Sequence, residues 1–204
     1  YYITLSSRNA LVDQLNTKEL NTIATREYTF LSDISGNFDP KLMPADPILK
    51  LKLGAQVMFV RNDPKREFVN GTIGKVVHLG DETIIVQIEQ RDGTLKKIEV
   101  EKTVWETLRY KISLTSADAI ESEAVGTFKQ YPLRLAWAIT IHKSQGKTFD
   151  KVIIDLGTGA FEHGQTYVAL SRCRTLEGIV LKQKLRPQDI RVDERILEFY
   201  EQFF

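Results

Sequence analysis

Cysteine is nearly missing from these 204 residues: Cys173 stands alone. A single thiol excludes a disulfide framework and a cysteine-based zinc site, and it fits a reducing, cytoplasmic compartment. Long apolar runs are missing too. No stretch approaches the ~18 consecutive apolar residues of a membrane span, so no membrane partner is expected. Net charge is almost absent, because 28 basic and 27 acidic residues leave +1. That balance points to no partner by itself. There is no charged-then-apolar leader, hence no visible secretory signal. The chain opens at Tyr1-Tyr2-Ile3-Thr4, already inside a β-rich run, and reads as a piece of something longer.

What is present describes a globular protein. Apolar residues make up 42% and charged residues 27%, enough to build a core and to exclude a disordered chain. The length suggests one main domain with a smaller inserted or appended one. Charge is uneven along the chain. Residues 48–111 carry +3 and residues 128–174 carry +4, while 1–47, 112–127 and 175–204 are negative. Scatter on a solvated surface explains blocks this small. The functional alternative is that they face phosphates.

Tyr1 to Leu5 is β-branched and aromatic and reads as a strand. Ser6-Ser7 offers a helix cap, and Leu11, Val12, Leu15, Leu20 and Ile23 share a helical face. Residues 32–47, with Gly36, Pro40, Pro44 and Pro47, read as a linker. From Ile48 the style changes to short alternating runs about ten residues apart, with Asp92-Gly93 the strongest hairpin signal. These predict a small antiparallel barrel or sandwich, closed by Trp105, Leu108 and Tyr110. From Pro132 helices and buried runs return. A helix is expected from Ala136 to Ser144, a buried parallel strand at Lys151–Leu156, and a helix from Gln165 to Arg172. Another short buried strand is expected at Gly178–Leu181, and an amphipathic helix from Val192 to Phe204, whose apolar face should pack into the core. The fold class is therefore α/β with a mainly parallel sheet, interrupted by an antiparallel barrel. The expected segments are 1–47, 48–115 and 116–204.

Few motifs survive inspection. Ser144-Gln145-Gly146-Lys147-Thr148 resembles the end of a Walker A loop, but the glycine required five residues earlier is Ile141. Gly157-Thr158-Gly159-Ala160-Phe161-Glu162 fails the dinucleotide fingerprint at Glu162. His142 and His163 lack metal-ligand spacing. Asp155 ends an apolar strand, where α/β ligand sites form, but a turn cap explains it as well. Arg172 and Arg174 follow a helix. They either complement its C-terminus, worth ~0.3–1 kcal/mol, or reach a phosphoryl group bound elsewhere.

Three blocks together resemble a known family. They are Leu5-Ser6-Ser7-Arg8-Asn9, then Ala138 to Asp150 (Ala-Ile-Thr-Ile-His-Lys-Ser-Gln-Gly-Lys-Thr-Phe-Asp), then Gln165 to Arg174 (Gln-Thr-Tyr-Val-Ala-Leu-Ser-Arg-Cys-Arg). In order and spacing they are similar to motifs IV, V and VI of superfamily 1B DNA helicases of the RecD and Pif types, in the UvrD-like C-terminal half. Gly54–Asp63 and Asn70–Gly74 resemble that family's inserted barrel. The resemblance implies a RecA-like second motor domain of P-loop NTPase type, carrying an SH3-type barrel. It implies ATP with Mg2+ bound between two RecA-like domains, mainly by an N-terminal domain of the same protein. That domain would lie before residue 1 and hold the Walker A and B motifs. It further implies 5′–3′ movement on single-stranded DNA and opening of fork DNA, as motors of this kind do in repair, recombination, replication restart and plasmid transfer. By the resemblance Arg172 is the arginine finger. Gln145, Gly146 and Lys147 lie at the nucleotide cleft, and Arg8 is a second phosphate contact. Thr140, His142 and Lys143 contact DNA or couple it to the cleft. The alternative is a non-catalytic nucleic-acid or protein binding module.

Overall fold

A computed structural model of the protein describes residues 1–90, 92–112 and 120–203. Arg91 of the expected 91–93 turn, the expected boundary at 115/116, and Phe204 lie outside them. In chain order the elements are β1 (Ile3–Ser6), α1 (Asn9–Thr22), β2 (Glu27–Leu31), β3 (Asp33–Gly36), β4 (Ile48–Lys52), β5 (Gln56–Phe59) and β6 (Ile73–Leu79). They continue with β7 (Ile84–Glu89), β8 (Leu95–Val100), β9 (Thr103–Ile112), β10 (Ile120–Gln130), β11 (Leu133–Leu135) and β12 (Ala138–Thr140). The last are β13 (Val152–Asp155), α2 (Gln165–Leu170), β14 (Ile179–Leu181) and α3 (Glu194–Phe203). The chain divides into two compact units, one formed by Tyr1–Thr22 with Leu135–Phe204, the other by Ile23–Arg134.

The first unit holds a parallel sheet in the order β12-β1-β13-β14. Ile3 and Leu5 of β1 and Val152 and Ile154 of β13 are buried, as continuous apolar runs are when both faces of a parallel sheet are covered. Residues separated by more than a hundred positions thus lie side by side, with Leu5 between Ile139 and Ile154. Helix α1 buries Val12 and Leu20. Its Asn16 side chain accepts the Ala138 N–H and donates to the Ala138 carbonyl, both at 2.9 Å.

Three expectations fail in this unit. The strand expected to be buried at 178–181 forms as β14, but at the border of the sheet, with Val180 and Leu181 exposed. The helix expected over Ala136–Ser144 is instead the short strand β12 followed by one 3-10 turn, His142–Ser144. A short apolar run fits a buried strand as well as a buried helix, and pairing with β1 decides it. The amphipathic helix exists as α3, but its Ile196, Leu197, Phe199, Tyr200 and Phe203 are each at least half exposed. They do not form core. Ile196 lines an apolar groove of about 510 Å3 with Tyr167, Leu170, Leu185, Ile190 and Val192.

The second unit is antiparallel. Its sheets are β2-β4, β3-β10-β9 and β11-β5-β6-β7-β8. The hairpin β7–β8 turns at Asp92-Gly93, where Gly93 takes φ +82° and the Asp92 carboxylate accepts the Thr94 N–H at 3.0 Å. Residues 32–47 are only partly the expected linker. They contain β3, paired with β10 so that Gly36 faces Gly126. A side chain at Gly126 would lie 2.5 Å from the Asn37 carbonyl, so glycine is what permits this pairing. The unit thus starts earlier and ends later than the expected 48–115. Trp105 packs on Phe128, whereas Leu108 is exposed and does not close the unit. The Tyr110 side chain lies outside the described residues.

Gln130 is fully buried on β10. Its side-chain N–H groups donate to the Phe30, Asp46 and Pro47 carbonyls at 3.1–3.2 Å, and its oxygen accepts the Tyr131 N–H at 2.9 Å. Replacing Gln130 with Leu keeps the volume but removes the buried partner of the Phe30 carbonyl and of the Tyr131 N–H. Chemical denaturation should show a loss of about 1–3 kcal/mol, the cost of buried unpaired polar groups.

Candidate nucleotide-facing site

In open α/β sheets, ligand sites form beyond the carboxyl ends of the strands. Here those ends deliver Ser7-Arg8, Ile141 to Thr148 and Leu156 to Phe161. The middle segment is held from inside. The Ile141 N–H donates to the Ser6 carbonyl at 2.9 Å, and the buried Ser144 hydroxyl donates to the Ile141 carbonyl at 2.6 Å. Thr140 is also buried, and its hydroxyl accepts the Lys143 N–H at 3.3 Å. Thr140 therefore faces inward and shapes the turn that carries His142 and Lys143. His142 and Lys143 stand exposed on that turn, followed by exposed Gln145 and Gly146 and half-buried Lys147. Gly146 takes φ +72°, a left-handed bend that favours glycine.

The structure then brings two of the sequence blocks together. Phe149 is buried and forms a parallel bridge to Cys173. Its N–H donates to the Arg172 carbonyl at 2.8 Å, and its carbonyl accepts the Arg174 N–H at 3.1 Å. The Arg172 guanidinium lies across this seam. Its Nε donates to the Val168 carbonyl at 3.0 Å, Nη1 to the Lys147 carbonyl at 3.2 Å, and Nη2 to the Ser171 hydroxyl at 2.9 Å. All three acceptors are uncharged. Arg174, by contrast, meets the exposed Asp150 carboxylate at 3.3 Å, a surface pair of little energetic weight.

Arg8 is placed elsewhere on the same edge. It is exposed, and its Nη2 donates to the Thr158 hydroxyl at 2.9 Å. Loop 157–161, where Thr158 sits, is pinned by groups the sequence did not single out. Arg186 donates to the Thr158 carbonyl and to the buried Asp189, which accepts the Ala160 N–H. Hydrogen bonds from Arg186 hold the Asp189 carboxyl below the usual carboxylate range. Asp155 behaves as a turn cap, accepting the Gly157 N–H at 2.9 Å, and also pairs with Lys182 Nζ at 2.6 Å. His163 lies 3.8 Å from Asp193. Hydrogen bonds from Arg195 draw the Asp193 carboxyl down to about 2. The carbonyl cradle of Arg172 was beyond sequence reading, since a main-chain acceptor leaves no residue type to recognise. Ser171 carried a signal only in adjoining Arg172.

Comparison with known proteins assigns both units. Residues 33–79 match the model of the 2B domain of DNA helicase Pif1, and residues 135–180 match the UvrD-like helicase C-terminal domain. The ATP-dependent DNA helicase Pif1 of Bdellovibrio bacteriovorus is 38% identical over 204 residues, covering 98% of this chain and 43% of that protein. The chain belongs to the Pif1 family. It corresponds to the C-terminal part of these superfamily 1B helicases, with the Pif1 2B insertion in its antiparallel unit. Two crystal structures of Pif1 from Bacteroides are also similar. One, a complex with ADP-AlF4, has a TM-score of 0.85 at 38% identity; the other, bound to single-stranded DNA, has 0.75 at 38%. This chain is 99% covered in each and accounts for 45% of either Pif1 chain. It spans half or less of the length of these Pif1 relatives.

Proposed function

We propose that this chain is the second motor half of an ATP-dependent Pif1-type DNA helicase. In this reading its parallel-sheet unit is RecA-like, and its antiparallel unit includes a barrel of SH3 type. Arg172 is the arginine finger, aimed at the γ-phosphate of ATP held by an N-terminal motor domain of the same protein. One observation carries this: a guanidinium fixed by three neutral acceptors, with no carboxylate on it among the described residues, at the seam of the 145–149 and 172–174 segments. An arginine serving only to neutralise its surroundings would sit against an acid, as Arg174 does.

The donor set fits a triphosphate. Arg172, Lys147, the Gln145 side chain and the backbone at Gly146 offer positive charge and N–H groups. It does not fit Mg2+, because no cluster of three His, Cys, Asp or Glu exists among the described residues. The metal would be held by the N-terminal domain, where it neutralises phosphate charge. Arg8, tied to Thr158, is a second phosphate contact. His142 and Lys143, exposed on the turn after β12, contact the single-stranded DNA backbone, and Thr140 serves them from below. The turn leads in three residues to the Lys147 carbonyl that holds Arg172. Strand contact and finger are thereby mechanically connected. The track would carry single-stranded DNA 5′ to 3′ and open fork DNA ahead of it. Pif1 structures bound to single-stranded DNA and to forked duplex support the substrate class.

The test is ATP turnover. Alone, this chain should hydrolyse ATP negligibly, with or without single-stranded DNA. Joined to an N-terminal half bearing Walker A and B motifs, it should show DNA-stimulated turnover. Robust turnover by the chain alone overturns the proposal.

A further inference from the structure

The Arg172 guanidinium has five N–H donors in a planar fork. Three are engaged, one on Nε and one on each terminal nitrogen. That leaves one N–H on Nη1 and one on Nη2, a pair suited to bidentate capture of phosphoryl oxygens. Two of the three acceptors, Val168 and Lys147, are main-chain carbonyls. The third is the Ser171 hydroxyl, which donates onward to the Val168 carbonyl at 3.0 Å while accepting Nη2–H at 2.9 Å.

From this arrangement we infer that Ser171 is a positioning residue for Arg172, and this inference rests on the finger reading above. Without the hydroxyl, Nη2 loses its only internal acceptor among the described residues. The Nε and Nη1 bonds still tether the group, but Nη2 no longer has both hydrogens assigned. The guanidinium keeps two of its three anchors and enters the closed cleft less rigidly held, so part of its ordering falls within the reaction. Preorganised donors contribute because they need no reorganisation at that moment. Ser171 touches neither nucleotide nor DNA in this scheme. It is exposed, at the C-terminal end of α2, so its truncation leaves the core intact.

The variants are Ser171→Ala, Ser171→Thr and Arg172→Ala, made in the full-length protein. DNA-stimulated ATP turnover is read as kcat and KM separately. Ser171→Ala should lower kcat about tenfold, the scale of a lost hydrogen bond to a charged group, with KM for ATP changed less than about twofold. Ser171→Thr keeps the oxygen and should restore kcat. In parallel, NMR of the Arg172 side chain in this chain should show resolved Nη signals for wild type and Ser171→Thr. Ser171→Ala should show averaged signals from freer rotation about Cζ–Nε. A wild-type kcat in Ser171→Ala, or a loss that threonine fails to restore, overturns the inference while Arg172→Ala still reports on the finger. If Arg172→Ala keeps full turnover, the finger reading itself has failed, and the NMR comparison alone then decides whether Ser171 sets the guanidinium.

Discussion

Arg172→Ala should reduce DNA-stimulated ATP hydrolysis of the full-length protein by about 10³- to 10⁵-fold, the range for loss of an arginine finger. Binding of single-stranded DNA should stay within about threefold of wild type, since one side-chain contact is at most a small part of a multi-phosphate footprint. Magnitude separates the two roles open to this residue. A guanidinium that merely complements the C-terminus of α2 contributes ~0.3–1 kcal/mol, which would cost less than tenfold in rate even if all of it acted on the transition state. Arg172→Lys should rescue little. Ammonium is a point charge without the planar fork, and it cannot meet the Val168, Lys147 and Ser171 acceptors while keeping a bidentate pair free. The measurement is steady-state turnover with saturating single-stranded DNA, beside fluorescence anisotropy for binding. A residual rate within tenfold of wild type would assign Arg172 to the helix end.

Phe128→Ala should be the most damaging single truncation in the antiparallel unit. Phe128 is fully buried. Its ring lies 5.6 Å from that of Phe38 and 5.7 Å from that of Trp105, both tilted, with Ala45, Met43 and Val60 packed around them. These residues come from the segment before β4, from the loop after β5, from β9 and from β10. The ring is thus what segments distant in sequence share. Truncation removes its transfer free energy and leaves a hole, for about 3–5 kcal/mol in all. Thermal unfolding followed by tryptophan fluorescence in a Trp137→Phe background, which leaves Trp105 as the reporter, should show a midpoint lowered by more than about 10 °C. Phe128→Leu should lose less than half as much, because it fills most of the volume. Equal losses for Ala and Leu would mean that ring contacts with Phe38 and Trp105 outweigh the cavity.

The parallel-sheet unit was legible where the sequence was repetitive in kind. The run Val152–Ile154 is apolar throughout, as the centre of a strand buried on both faces must be. Tyr1–Leu5 could be joined to it across the interruption because strand and helix signals resumed after residue 132. Reading failed where long-range pairing outweighs local preference. Ala138-Ile139-Thr140 has no turn residue to separate it from a helix, and only the ladder to β1 makes it a strand. Asp33 to Gly36 carries linker composition, yet pairs because two glycines let backbones meet. For α3 the periodicity was right, but a helical stripe specifies an apolar face without naming what covers it. Of the candidate site, Arg172, Lys147, His142 and Lys143 could be picked out by residue type, and all four are exposed or half-buried. Thr140 turned inward because a β-branched hydroxyl on a buried strand finds its partner in the next turn.

The pair of hydrogen bonds between Asn16 and Ala138 reaches beyond local packing. β12 lies at one border of the parallel sheet, where its outward N–H and C=O would otherwise form an open ladder. The Asn16 amide occupies both, as a neighbouring strand would. Such a border is where a foreign strand adds on and where association between molecules begins. A single side chain therefore acts as a terminator for sheet growth, and solubility of this chain at working concentration depends in part on one residue of helix α1.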